Sequence, residues 1–206
     1  MDSTLINVIG GEKVHLYIYP MSSGQQSNPP KNDPDVALML HVVSGSQEAF
    51  TTLIRRHQQA LLNFFVRMGA YLDGEDLVQE TFVRLFHYRS RYRPTARFKT
   101  FLYVLARHVW ADRCRKVMRR ERLTFWLRTD EEIREAAPAE TGGAGALDVQ
   151  AALNRLSPKL SEVLVLNVYQ GLRYQEIADI LGIPLGTVKS RLNLALAAMR
   201  RLLDEP

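Results

Sequence analysis

Between Tyr174 and Leu192 the chain reads YQEIADILGIPLGTVKSRL, a stretch that leaves its backbone few alternatives. Ala178 is small where two helices would cross closely, and Gly182 supplies the left-handed backbone of a tight turn. Ile177, Leu181, Ile183, Val188 and Leu192 fall where they bury the angle between those helices. The second helix then carries Thr187, Lys189, Ser190, Arg191 and Asn193 on its other side. Such hydrogen-bonding side chains can reach base edges in a major groove. A helical hairpin with merely solvated cations is the bland alternative. The small residue, glycine turn and polar tip at these offsets favour a helix-turn-helix.

The same periodicity organises most of the chain. Pro34 suits a helix start, and Val36, Leu40 and Val43 are expected on one face before the Ser44-Gly45-Ser46 break. Ser46 caps a longer helix carrying Phe50, Leu53, Ile54, Leu61, Leu62, Phe65 and Val66 and stopping at Gly69. Asp73-Gly74 marks a turn before a third helix, over about residues 75–88. A fourth runs from about residue 96 towards 120, with Phe98, Leu102, Leu105 and Val109 at the spacing of a buried face. Four helices with short breaks make an all-α bundle.

Residues 124–147 change character, acidic at Asp130, Glu131, Glu132, Glu135 and Glu140, then TGGAG, and read as a flexible linker. Phe125 and Trp126, at its start, are candidates to pack back on the bundle. From residue 148 helices resume. Val149, Leu153 and Leu156 share a face, Ser157-Pro158 starts a helix with Val163, Leu164, Leu166, Val168 and Tyr169, and the last helix runs from near Pro184 to Leu203. The expected architecture is all-α: two small helical domains, 35–123 and 148–206, joined by a flexible linker. Residues 1–34 form an N-terminal extension. Val14 to Tyr19 alternates weakly like a strand, and Ser22 to Pro34, rich in Ser, Gln, Asn and Pro, predicts disorder.

Lys and Arg total 27 against 22 for Asp and Glu, a net charge of +5, and the excess is concentrated. Arg89, Arg91, Arg93, Arg97, Lys99, Arg107, Arg113, Arg115, Lys116, Arg119, Arg120 and Arg122 are opposed only by Asp112 and Glu121 over that stretch. So one-sided a run reads as a polyanion-binding surface. Within it Tyr103, Arg107, Trp110 and Arg113 interleave rings with cations, as single-stranded DNA binding requires; a buried aromatic stripe is the competing reading. The preceding helix carries Asp76, Gln79, Glu80 and Arg84 on its expected outer side, an acidic, amide-rich face suited to a protein partner as well as to plain solvation.

Other classes find little support. No apolar run is long enough to span a membrane, and the N-terminus has no basic segment followed by an apolar core, so a cytoplasmic location is expected. Cys114 is the one cysteine, which excludes an intrachain disulfide and favours a small core side chain. No metal-ligand cluster, cofactor motif or nucleophile arrangement stands out, so no catalytic, metal or cofactor site is assigned. A hydrolase or nuclease is therefore a distant alternative. A helix-turn-helix regulator with a helical sensing or dimerisation domain is a nearer one. That reading leaves the basic aromatic helix and the Asp76–Glu80 face unexplained.

Taken in order, DGEDLVQETFVRLF (73–86), FKTFLYVLARHVWAD (98–112), LRYQEIADILG (172–182) and GTVKSR (186–191) resemble the extracytoplasmic-function sigma factors of bacterial RNA polymerase. The resemblance covers about residues 34–123 and 148–203. It implies a non-enzymatic promoter-recognition factor with no cofactor. Asp76, Gln79, Glu80 and Arg84 would bind core RNA polymerase. Arg97, Lys99, Tyr103, Arg107, His108, Arg113, Arg115, Lys116 and Arg119 would hold the melted, single-stranded −10 element, and residues 88–97 would capture an unstacked base. Thr187, Lys189, Ser190, Arg191 and Asn193 would read the duplex −35 element, and the acidic linker would thread towards the RNA exit path. An anti-sigma protein is a common partner in that family, and a location on the nucleoid when polymerase-bound follows. Two positions depart from the family pattern: Phe101 where Trp is frequent and His108 where Asn is frequent. Phe101 still supplies an aromatic anchor; no base preference is carried over at His108.

Overall fold

The computed structural model describes residues 5–9, 12–16, 33–127 and 146–204, with side chains at 33–120 and 149–204. Helix α1 (Pro34–Val43) begins with proline, and the Asp33 side chain accepts from the Asp35 N–H at 3.0 Å. Helix α2 (Gln47–Arg67) starts at Ser46, whose hydroxyl accepts from the Ala49 N–H at 3.2 Å. Helix α3 (Gly74–Tyr88) runs into a single 3₁₀ turn, Arg89–Arg91. Helix α4 (Phe98–Leu127) is longer than its periodicity suggested and takes up the first residues of the expected linker.

The second domain comprises α5 (Ala146–Arg155), α6 (Pro158–Leu164), α7 (Tyr174–Leu181) and α8 (Leu185–Asp204). Between α6 and α7 the chain makes a π-helical stretch, Val165–Tyr169. Gly182 closes α7 at φ 65°, the left-handed turn expected of it. Near the N-terminus, β1 (Leu5–Ile9) and β2 (Glu12–Leu16) pair antiparallel. β2 overlaps the start of the weak strand signal read at Val14 to Tyr19, whereas β1 carried no signal that was read. Residues 17–32 and 128–145, which include the acidic and glycine-rich part of the linker, lie outside those described. So do the side chains of Phe125 and Trp126.

The N-terminal core gathers Met39, Val42, Leu53, Leu61, Phe64, Phe65, Leu85, Phe98, Leu102 and Leu105. One expectation fails here. Leu40 is 47% exposed and Val43 faces out beside it, because α1 buries Met39 and Val42 instead. Val168 is likewise exposed: the wider π turn rotates it off the buried line of Val163, Leu164 and Leu166. In the second domain Ile177, Ala178, Leu181, Val188, Leu192 and Ala195 fill the angle of the helix-turn-helix. The buried residues of both domains form one continuous apolar cluster, with α4 packed on α7 and the π turn against α2. Among the described residues no helix is long and apolar enough to cross a membrane.

Candidate nucleic-acid interface

Helix α3 presents Asp76, Gln79 and Glu80 to solvent while Leu77, Val78, Phe82 and Leu85 go inward. Arg84 does not join that outer face. Its side chain is 9% exposed, and it bonds Glu80 at 2.8 Å and Asp112 of α4 at 2.7 Å. An arginine in sequence reads as surface, but here its planar fork fastens two helices together. The Arg84 and Arg115 guanidiniums hold the Asp112 carboxyl below its usual range, against the effect of its burial.

The basic face of α4 is more divided than its sequence suggests. Arg115, Lys116 and Arg119 project into solvent. Arg113 instead forks onto Asp73 at the start of α3, at 2.8 and 3.2 Å, with its guanidinium over the Trp110 ring. That bond lowers the Asp73 pKa and raises that of Arg113. Tyr103 is 1% exposed, packed edge-on against Phe64, and its hydroxyl meets the Gln170 side chain of the other domain. It has no free face for a base in this arrangement, so the buried-stripe reading holds for Tyr103. His108 is largely buried with Nδ1 unpartnered, and burial together with Arg107 pushes its pKa down. Cys114 is a half-buried free thiol whose pKa burial raises.

In the second domain the Glu176 carboxylate accepts from the Arg173 N–H at 2.8 Å, fixing the start of α7. The Ile183 N–H returns to the Ala178 carbonyl at 3.2 Å, closing the turn through the small residue. Helix α8 then exposes Lys189, Ser190 and Asn193, with Thr187 and Arg191 partly covered. The Ser190 hydroxyl donates to the Thr187 carbonyl at 3.1 Å. The sequence-assigned readers therefore occupy one outer side of α8, opposite buried Val188 and Leu192.

What the sequence did not reveal is the junction between the domains. Lys99 Nζ donates to the Gln170 carbonyl at 2.6 Å. Arg107 Nε lies 3.1 Å from Glu162, and Arg97 Nε lies 3.7 Å from Glu176. On the far side Arg67 bonds Gln150 at 2.9 Å and stacks over Tyr169, while Tyr71 and Asn154 share a hydrogen bond. Glu176 was visible within the helix-turn-helix motif, but nothing local marks Glu162 or Gln170, which lie 55 and 67 or more residues from their partners. Burial of Glu162 raises its pKa more than Arg107 and Arg191 lower it.

Two family descriptions match this chain: Sigma-70 region 2 over residues 53–120 and Sigma-70, region 4 over residues 146–199. The extracytoplasmic-function RNA polymerase sigma factor SigC of Mycobacterium tuberculosis is 31% identical over 163 residues, 79% of this chain and 88% of that protein. Among solved structures, CnrH in complex with the cytosolic domain of CnrY superposes with a TM-score of 0.64 at 26% identity, covering 84% of this chain and 98% of that one. The sigma factor RpoE with the anti-sigma factor NepR, from Bartonella quintana, gives 0.63 at 26% identity over 76% and 97%.

Proposed function

The chain belongs to the extracytoplasmic-function sigma factors of bacterial RNA polymerase, and on that premise we propose how its surfaces divide the work of promoter recognition. As a sigma factor it binds core RNA polymerase and directs it to promoter DNA for initiation. Asp76, Gln79 and Glu80 are the polymerase-binding group on α3; Arg84 supports them from inside by holding Glu80. Arg97, Lys99, Arg107, Arg115, Lys116 and Arg119 hold the −10 strand by its phosphates, with His108 among them. Thr187, Lys189, Ser190, Arg191 and Asn193 meet the −35 duplex. The boundaries 35–123 and 148–206 mark the two DNA-engaging modules.

The observation that carries this reading is the separation of charge on neighbouring helices. An exposed acidic row on α3 lies beside cationic positions on α4, and a polar row runs along α8. Acidic side chains repel DNA and suit a protein surface, while cations and amides suit phosphate and base edges. Each DNA-engaging module is small, so a promoter is held best by both together. Polymerase fixes their spacing, so that binding by one raises the effective concentration of the other. Sigma factors act with polymerase in the cytoplasm and are not themselves enzymes; we assign this one to the nucleoid when polymerase-bound. The RpoE structure holds an anti-sigma factor and the CnrH structure the cytosolic domain of CnrY, and by that likeness a protein antagonist acts on this chain as well.

The test is to mix the purified chain with core polymerase. Co-migration, with new promoter-selective transcripts, is the expected result. A chain that binds duplex DNA selectively without polymerase would instead be a regulator.

A further inference from the structure

The residue at the capping position of α4 cannot cap it. Arg97 stands there, its carbonyl accepting from the Phe101 N–H at 3.2 Å. An arginine side chain carries only donors, so it offers nothing to the first N–H groups of the helix. The acceptor comes instead from Asp33, 65 residues earlier in the chain. Asp33 Oδ1 accepts from the Asp35 N–H at 3.0 Å and starts α1, while Oδ2 accepts from the Phe98 N–H at 3.1 Å and starts α4. Both helices belong to the N-terminal bundle, so this double cap is made within one domain.

The shared cap lies at the foot of a loop, residues 92–97, that joins the 3₁₀ turn to α4. Each end of it is held. Tyr92 is 3% exposed, its ring 5.1 Å from that of Phe101, and its N–H donates to the Arg89 carbonyl at 3.2 Å. Burial, and then the Asp33 charge, push the Tyr92 hydroxyl up to about 12, so the carboxylate stands near this end as well. At the other end it holds the Phe98 N–H. Between them Arg93, Thr95 and Arg97 are exposed.

We propose, on the assignment of Arg97 and Lys99 to the −10 strand, that Asp33 is a positioning residue for that strand. Its carboxylate fixes where α4 begins, and with it Arg93, Arg97 and the first-turn Lys99. Phosphate contacts set the register of a protein on nucleic acid, so cations that drift take the strand with them. Only a carboxylate does both tasks. It has two accepting oxygens, and its charge suits two helix N-termini at once. Serine or asparagine keeps one accepting oxygen, enough to cap α1, and gives up Phe98.

The experiment uses full chains of wild type, Asp33→Asn and Asp33→Ser with core polymerase. The template is a promoter fragment selected by the reconstituted complex, with 2-aminopurine in its −10 element, whose fluorescence rises as the strand unstacks. In both variants the rate of that rise should fall about fivefold, the scale of one lost cap. Hydrogen exchange at the Phe98 amide should quicken by about the same factor. Core capture and initial promoter binding should stay within about twofold, as for a surface change. An unchanged melting rate beside faster Phe98 exchange overturns the proposal, because the bond then positions nothing. Equal losses in core capture, promoter binding and melting also overturn it and leave Asp33 a structural cap. If Asp33→Ser loses helical circular dichroism, Asp33→Asn decides by the same readouts, and loss of the fold in both again leaves only a structural cap. The underlying assignment is checked with Arg93→Ala/Arg97→Ala in the same assay. An unchanged rate there shows that these cations do not hold the −10 strand, whereas a slowed rate there beside unaffected Asp33 variants condemns the positioning role alone.

Discussion

Arg84 Nη1 lies 2.7 Å from Asp112 Oδ2, so α3, to which we assign polymerase binding, is bolted to α4, to which we assign the −10 strand. Arg84 also reaches back to Glu80 at 2.8 Å. One guanidinium thus joins the acidic row of α3 to the cationic helix α4.

Breaking that bolt should be expensive. Arg84→Leu strands Asp112 beside Arg115 alone, and loss of one partner of a buried pair costs up to about 3–5 kcal/mol. Asp112 retains some solvent, so about 2–3 kcal/mol is expected here. Adding Asp112→Asn should recover part of the loss, because no carboxylate is then left uncompensated. Urea unfolding of wild type, single and double variants checks this; an unchanged midpoint for Arg84→Leu would remove the bolt from the account.

The outward row of α3 should behave in the opposite way. Asp76→Arg with Gln79→Ala is expected to leave the melting temperature within a degree or two, since surface changes fall within about 0.5 kcal/mol. Capture by core polymerase should drop at least about tenfold, because a cation replaces an anion facing the partner. A melting curve and a pull-down on one preparation separate folding from binding.

Gly182 sits at φ 65°, where a side chain costs about 1–2 kcal/mol. Gly182→Ala should lower the stability of the second domain by that amount and weaken −35 recognition through the altered angle of α8. Equal stability in thermal unfolding would mean the turn relaxes without strain.

His108 gives a pH signature. Its folded pKa is depressed from 6.5, first by burial and then by Arg107, with Arg84 and Arg115 adding to it and Asp112 opposing. Between that depressed value and 6.5 the unfolded chain binds more protons than the folded one, so stability falls as pH drops through this window. Above 6.5 the contribution is complete. His108→Gln should flatten the slope of stability against pH just below 6.5 relative to wild type. An identical slope in the two proteins would show that His108 takes its proton without penalty.

Much of this architecture was legible because its determinants are local. Ser46 caps α2, Pro34 opens α1 and Gly182 turns left-handed, each within a few residues of the bonds it governs. The face of α1 was not legible. Val36, Leu38, Met39, Leu40, Val42 and Val43 crowd a ten-residue helix with apolar side chains on every side, so periodicity cannot choose between Leu40 and Met39. The π turn left no local mark either. Arg84 and Tyr103 were given functions suited to exposed residues because composition does not reveal which polar side chain has a buried partner. Those partners, Asp112 and Gln170, lie 28 and 67 residues away. The exposure of Lys189, Ser190 and Asn193 was legible, because the buried positions of α8 dictate what stands opposite.

The most direct test of the central claim is transcription by core polymerase supplied with this chain, on templates selected for binding by the reconstituted complex. Each template is run with its −35 block intact or scrambled, using wild type, Lys189→Ala and Arg191→Ala. Wild type should initiate on the intact template and lose most of that activity when the block is scrambled. A base-reading side chain is worth about 1–3 kcal/mol of discrimination. At least one of the two variants should therefore lose initiation on the intact template, with core binding unchanged. Initiation by wild type that ignores the −35 block, or both variants matching wild type on the intact template, would contradict the assignment of α8 as the promoter reader.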